Sequence, residues 1–509
     1  MLEARSLWEL IERRVDATPD APMAIDENDR TLTFAEYQAE AERAAAGLAK
    51  NGIVAGDVVS WQLPTWFESA VLVAALSRLG AIQNPILPIY RQREVGFVTR
   101  QSKAKLLVVP GEWRGFDFLD MARTIAADQP GLEILVANRT LPQGDPATLP
   151  APPDAGVDDI RWYFYTSGTT SDPKGAQHTD RSVMAQAIGM CERLEVTSAD
   201  RLAVVFPFTH IGGIGYLFDS LLTGCQLIFA EAFDPTGTPE LLRAKDVTLA
   251  GAGTPFFMAY LNHQRQHPEL APLFPQARAF IGGGAPKPPQ LHYDIKAEMG
   301  TVGIVSGYGM TEAPIVTMGS VRDSDEELAN SEGKAVPGVE MIAVKLDGTR
   351  AASGEEGELR FKGPQVMKGY LDSTLDADAF DADGFLRSGD LGVIDERGNV
   401  RITGRVKDII IRNMENISAK EIEDLLFTHP KVADAAVIGL PDTRTGERVC
   451  ACVVAADAGD PPSLDELAAF LLENGLMKQK LPEQLEIVEA IPRNPTGKVV
   501  KYELQDRYK

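Results

Sequence analysis

The segment Tyr165 to Gly175, YTSGTTSDPKG, has the composition of an anion cradle. Thr166, Ser167, Gly168, Thr169 and Thr170 follow directly on the apolar run IRWYFY. Small and hydroxyl residues let the backbone turn tightly, and their N–H and O–H groups can donate to phosphate oxygens. Lys174 adds a mobile positive charge. Plain surface turns use the same residues, so the segment alone does not define a function. The pattern GxxxxGK[ST] is absent here and at Gly497-Lys498, which disfavours a P-loop ATPase. Neither a GxGxxG dinucleotide fingerprint nor a GxSxG nucleophile turn is present. His263 and His267 are four apart and could share a helix face, but no third metal ligand lies nearby, and both read as surface residues. The four cysteines, Cys191, Cys225, Cys450 and Cys452, show no zinc spacing. They read as core residues, with Cys450 and Cys452 on one face of a strand.

Further short segments follow in order: IGGGAP (281–286), GYGMTE (307–312), SGD (388–390), GRVKD (404–408) and PRNPTGK (492–498). With the 165–175 segment, this set resembles the adenylate-forming superfamily, which includes acyl-CoA synthetases, the adenylation domains of peptide synthetases and firefly luciferase. The resemblance spans roughly residues 30–500, and Ser171 stands where the family usually has Gly. It implies ATP and Mg²⁺ as cofactors. Gly283, Gly284, Ala285 and Pro286 would face the adenine, with Gly307, Tyr308, Gly309 and Met310 as the core nucleotide motif. Tyr308 would stack on the base, Thr311 would bond the α-phosphate, and Glu312 would hold Mg²⁺, a hard cation that prefers oxygen ligands. Asp390 would accept the ribose hydroxyls, with Arg405 as a second anchor. Lys498 would bridge the acid's carboxylate and the α-phosphate, where a positive charge between two approaching anions lowers the barrier. Lys407 stands at the family's hinge, about which a small domain would rotate between two half-reactions.

The resemblance further implies an acyl-adenylate intermediate and transfer of the acyl group to a thiol, that of coenzyme A or, alternatively, of an acyl carrier protein. The segment after the hinge, RNMENISAKEIE (412–423), has Asn413 and Met414 where the family has Gly-Gly, and Ala419 where it has Pro. Asn413, Met414 and Glu415 would line the CoA channel, which Met414 could narrow. FPFTHIGGIGYLF (206–218) matches the region lining the acyl pocket, with His210 near the substrate carboxylate. Amino-acid-activating members carry an Asp after this position. Ile211 stands here, and a buried ammonium without a counter-charge is costly, so an α-amino acid is disfavoured. His210, Ile211, Gly212, Phe256, Gly282 and Ile315 are the expected pocket residues, suiting an apolar acid. The stretch 88–117 is similar to cyclohexanecarboxylate–CoA and fatty-acid–CoA ligases.

These residues need elements to hold them. Apolar spacing predicts helices over 5–16 and 34–50, the second capped by Thr33, and over 67–79 ending near Gly80. VVSWQL (58–63) and LLVV (106–109) read as strands, so the class is α/β with a largely parallel sheet. Residues 141–158, rich in Pro, Gly and Ala, read as a long surface loop. Alternating strands and Gly turns over 339–402 predict a β-rich subdomain, and the chain beyond Arg405 a small α+β domain, which the resemblance implies is mobile. The expected division is 1–404, stacked α/β subdomains plus the β-rich one, and 405–509. A net charge of −23 disfavours nucleic acid as a partner and requires local cations at any phosphate site. The N-terminus has no signal-type apolar core, and no run of about 18 apolar residues predicts a membrane span. With few cysteines, this predicts a cytoplasmic protein; a monomer or homodimer is the expected state, which the sequence itself does not fix.

Overall fold

The computed structural model describes residues 1–154, 156–166, 173–284, 287–412, 415–493 and 499–509. Local signals set the first elements. The helix Phe34–Lys50 opens on a capping box: the Thr33 side chain accepts from the Glu36 N–H, and the Glu36 carboxylate accepts from the Thr33 N–H. The helix Phe67–Leu79 is apolar nearly all round, as a helix between two layers must be, and stops at Gly80 with φ 70°. The first helix runs Leu7–Ala17, capped by Ser6.

Two large sheets enclose these helices. A six-stranded sheet runs in the order Lys174–Thr179, Ile160–Thr166, Ile82–Pro85, Val58–Trp61, Leu106–Val109, Glu133–Val136, parallel except for the hairpin formed by its first two strands. A nine-stranded sheet has a parallel centre and antiparallel pairings at both edges. One core joins the two, from Trp61 and Trp162 through Leu72 and Phe218 to Leu227 and Phe229. The other face of the larger sheet packs Phe257, Tyr260, Phe274 and Phe280.

A four-stranded antiparallel sheet, Glu340–Val344, Glu356–Lys362, Leu386–Ile394 and Val400–Arg405, forms the β-rich part expected over 339–402. The three-residue 3₁₀ turn Val406–Asp408 leads to the small C-terminal domain. Its five-stranded sheet is built on the long hairpin Val432–Asp442/Gly446–Ala455. Alternation divides that hairpin: Val437, Val449 and Val453 face the helices Ala419–Leu426 and Leu464–Glu473, while Ile438, Cys450 and Cys452 face Leu504 of the last helix. All four cysteines are free and buried.

Two sequence expectations need correction. Part of the 141–158 segment is packed: Leu141 is buried, and 142–144 press against the helix Phe34–Lys50. A Cβ on Gly47 would lie 2.4 Å from the Pro142 carbonyl carbon, and one on Gly144 2.6 Å from that of Ala46, so the crossing requires glycine on both sides. His263 is buried, with its ring 4.7 Å from that of the more exposed His267. Among the described residues no group of three His, Cys, Asp or Glu side chains could hold a metal ion. No described helix is long and apolar enough to cross a membrane.

Candidate active site

Several strand ends meet where the three sheets adjoin. In the hairpin Ile160–Thr166/Lys174–Thr179, Thr166 pairs with Lys174, so the hairpin presents both at the ends of its strands. The intervening Ser167, Gly168, Thr169 and Thr170 lie outside the described residues, as do Ala285, Pro286, Asn413, Met414 and Lys498. Only the backbone of Glu415 is described. Arg493 and Val499, flanking the Lys498 segment, form an antiparallel bridge.

The GYGMTE segment is also a hairpin. The strands Ile304–Met310 and Ala313–Met318 pair Met310 with Ala313, leaving Thr311 and Glu312 as the turn. Tyr308 pairs with Thr317, so the second strand bulges between these pairs, and Ile315 takes φ 43°, a costly conformation for a β-branched residue. Gly309 is demanded by the bulge: a Cβ there would sit 2.3 Å from the Ile315 amide nitrogen. Gly283 and Gly307 are neighbours on adjacent strands, and a Cβ on Gly283 would lie 2.2 Å from the Gly307 carbonyl oxygen.

Three predicted nucleotide contacts come together across two sheets. Asp390, buried and paired in register with Arg405, accepts from the Arg405 guanidinium at 3.0 Å on one oxygen and from the Tyr308 hydroxyl at 2.7 Å on the other. Burial, with Asp390 beside it, holds the Tyr308 phenol protonated well above its ordinary range. Each carboxylate oxygen has a second lone pair, so Asp390 retains acceptor capacity for ligand hydroxyls.

Thr311 and Glu312 are held by residues that sequence reasoning missed. His178, buried on the strand Lys174–Thr179, places Nε2 2.8 Å from the Thr311 carbonyl and Nδ1 2.9 Å from the Ser182 hydroxyl. A carbonyl can only accept, so Nε2 carries the proton. Burial pulls His178 down to about 4, so the ring is neutral at physiological pH. Glu312, also buried, accepts from the Tyr370 hydroxyl at 2.7 Å, and the Tyr370 ring lies 5.6 Å from Lys174 Nζ. Neither His178 nor Tyr370 carries a local sequence signal, since their partners lie 133 and 58 residues away.

His210 caps the helix Ile211–Thr223: its Nδ1 accepts from the Gly212 N–H at 3.1 Å. The proton is therefore on Nε2, and burial, which pulls the ring to about 4, keeps it neutral. His210, Ile211, Thr209 and Thr311 share a narrow crevice with Pro85, Ile86, Leu87, Tyr90 and Tyr165. The other expected pocket residues do not line this crevice. Phe256 packs with Phe233 beside the outer face of the large sheet, Ile315 packs against the opposite face, and Gly282 abuts the Ala252 carbonyl. Lys407 is exposed in the 3₁₀ turn, and desolvation by the groups around it lowers its ammonium pKa.

Glu312, a buried carboxylate a short distance from the phosphate-type hairpin, has the hard oxygen chemistry that Mg²⁺ requires. Mg²⁺ beside a triphosphate keeps several ligands from water and phosphate, so one protein carboxylate fits it.

Residues 11–371 match the family model of the AMP-binding enzymes, and residues 421–498 that of the AMP-binding enzyme C-terminal domain. The chain is 31% identical to a medium-chain fatty-acid–CoA ligase of Escherichia coli, over 98% of this chain and 90% of that one. It is 33% identical to a salicyl-AMP ligase / salicyl-S-ArCP synthetase of Mycobacterium tuberculosis, over 95% of this chain and 87% of the other. The ATP-bound crystal structure of MatB from Rhodopseudomonas palustris superposes with a TM-score of 0.89 at 30% identity, covering 99% of both chains.

Proposed function

The chain belongs to the AMP-binding enzyme family, and from that premise we infer that it is an AMP-forming acid–CoA ligase. It uses ATP to turn a carboxylate into an acyl-adenylate, releasing pyrophosphate, and passes the acyl group to the thiol of coenzyme A, releasing AMP. A carboxylate is a poor electrophile, and joining its oxygen to AMP supplies the leaving group that lets the thiol attack the acyl carbon. The observation that carries this reading is the convergence of Thr311, Glu312, Lys174 and His210 at one meeting of strand ends, in a chain matching the family over most of its length.

The residue roles are those of the family's chemistry, supported by that placement for Thr311, Glu312, Lys174 and His210. Thr166 to Thr170 and Lys174 take the phosphates. Gly283 to Pro286 and Gly307 to Met310 form the adenine side, with Tyr308 against the base. Asp390 and Arg405 take the ribose; their mutual ion pair supports this, because it holds the carboxylate in place before the nucleotide arrives. Thr311 donates to the α-phosphate. Glu312 holds Mg²⁺, which neutralises charge on the phosphates. The neutral His210, with its proton on Nε2, donates a hydrogen bond to the substrate's carboxylate oxygen rather than acting as a base. Lys498 supplies the charge between carboxylate and α-phosphate. The chain divides at 404/405, with Lys407 in the hinge and Asn413 to Glu415 beside the acceptor channel.

The substrate is an apolar acid of the fatty, alicyclic or aromatic kind. Ile211 beside His210 supports this, as does the fatty-acid ligase among the relatives. The free, buried thiols suit a reducing compartment such as the cytoplasm. A second reading, transfer to a carrier-protein thiol, is kept because the salicyl-AMP relative is named for such a synthetase. Acid-dependent pyrophosphate release from ATP and Mg²⁺ over a panel of acids, with and without CoA, tests both. Acyl-CoA seen by mass spectrometry with a non-amino acid is the expected result. Release without acyl-CoA would move the acceptor to a carrier protein, and no release with any acid would overturn the enzyme reading.

A further inference from the structure

The segment Met367 to Leu371 belongs to none of the six motifs, yet it touches two of them. Its backbone runs along the outer edge of the strand Lys174–Thr179, the last of its sheet: the Leu371 N–H donates to Gly175, the Gln177 N–H to Gly369, and the Lys368 N–H to Gln177, at 2.8, 2.9 and 2.8 Å. At its other end the Met367 N–H donates to the Glu312 carbonyl at 2.8 Å. The Tyr370 peptide is held on both sides, its N–H by Asp376 at 2.8 Å and its carbonyl by the Gln177 amide at 3.0 Å. Gly369 makes the turn possible at φ 134°, and a Cβ there would come 2.8 Å from Asp376. This hydrogen bonding leaves the backbone at Tyr370 little freedom and fixes where its side chain starts. That side chain ends on Glu312, and its ring lies beneath the Lys174 ammonium.

We propose that Tyr370 is a positioning residue for the metal-bound nucleotide: its hydroxyl fixes the Glu312 carboxylate in the orientation that receives Mg²⁺, and its ring steadies Lys174 at the phosphates. The proposal rests on the reading of Glu312 as the Mg²⁺-bearing carboxylate. The geometry separates the two contacts. The hydroxyl engages one carboxylate oxygen, as groups behind a metal ligand commonly do to fix its rotamer. The ring offers a π face to a cation at 5.6 Å, within the range where such pairs attract. A phenylalanine would keep the packing and the Lys174 contact while losing only the bond to Glu312.

Calorimetric titration of the full chain with ATP, once with Mg²⁺ and once with EDTA, reads this directly. The expected result for Tyr370→Phe is a loss of about tenfold or more in the affinity gained from Mg²⁺, with ATP affinity in EDTA unchanged. In steady-state assays the Mg²⁺ needed for half-maximal rate rises, and kcat recovers at saturating Mg²⁺. In a Glu312→Gln background the same substitution adds nothing further. A wild-type Mg²⁺ gain in Tyr370→Phe overturns the proposal. Equal losses with and without metal also overturn it, because they mark a packing defect, and so does an additive loss in the double variant. If the unmodified chain gains nothing from Mg²⁺, the reading of Glu312 fails and the proposal fails with it.

Discussion

Thr311 and Glu312 form a turn gripped from two directions, by a histidine on its carbonyl and by a tyrosine on its carboxylate. The histidine has a thermodynamic signature. His178 ionises near 4 in the folded chain and near 6.5 when unfolded. As pH falls below 6.5, the unfolded chain takes up this proton first, so the stability contributed by His178 is present above about 6.5 and drains away toward 4. Between pH 7 and 5 the loss is about 2 kcal/mol. Urea unfolding of His178→Gln should therefore show a pH dependence weaker by that amount over the same interval, and an unchanged dependence would mean that folding does not lower the ring's pKa. Lys498→Ala should abolish adenylate formation, read as pyrophosphate release, yet spare thioester formation from supplied acyl-adenylate. Equal loss of both steps would contradict its role. The polar motifs stand out in the sequence because glycine, hydroxyl and charged residues cluster within a few positions. His178 and Tyr370 were not, because one serves a main-chain carbonyl and the other a carboxylate far along the chain, and neither arrangement marks the local sequence.

Among the elements, the helix Phe34–Lys50 shows what local information can and cannot specify. Its period, its Thr33–Glu36 capping box and its end near Lys50 all lie within the segment, so they were readable. What lies across it was not. A Pro- and Gly-rich stretch looks the same whether it is solvated or pressed against a helix, and only the fit of Gly47 to the Pro142–Gly144 backbone shows which. Gly47→Ala puts a methyl where that backbone runs. Overpacking of this kind costs about 1–3 kcal/mol, partly offset by alanine's better helix propensity. Net destabilisation in urea, with KM for ATP unchanged, is the expected result; a stabilised variant would show that the segment can move aside. The bulge at Ile315 was equally hidden, since a strand's hydrophobic alternation does not report a residue forced to φ 43°.

At the scale of the whole molecule, the small domain has cores of its own on both faces of its sheet, distinct from the core shared by the two large sheets. It should unfold as a separate unit. Differential scanning calorimetry is expected to show more than one transition, the smaller carrying about 60–80 kcal/mol of enthalpy, as for a unit of roughly 100 residues. A single transition with equal calorimetric and van't Hoff enthalpies would mean that the two parts are energetically one. The division into a large α/β part and a small α+β part was visible as a change of pattern along the chain, because each part alternates its apolar residues for its own sheet. The connection between them is three residues long, between a strand ending at Arg405 and one beginning at Ile409. Three residues reach about 10 Å at full extension. Any excursion of the small unit is therefore a swing in place, with almost no escape. A side chain carried on it stays at an effective concentration far above that of a free reagent.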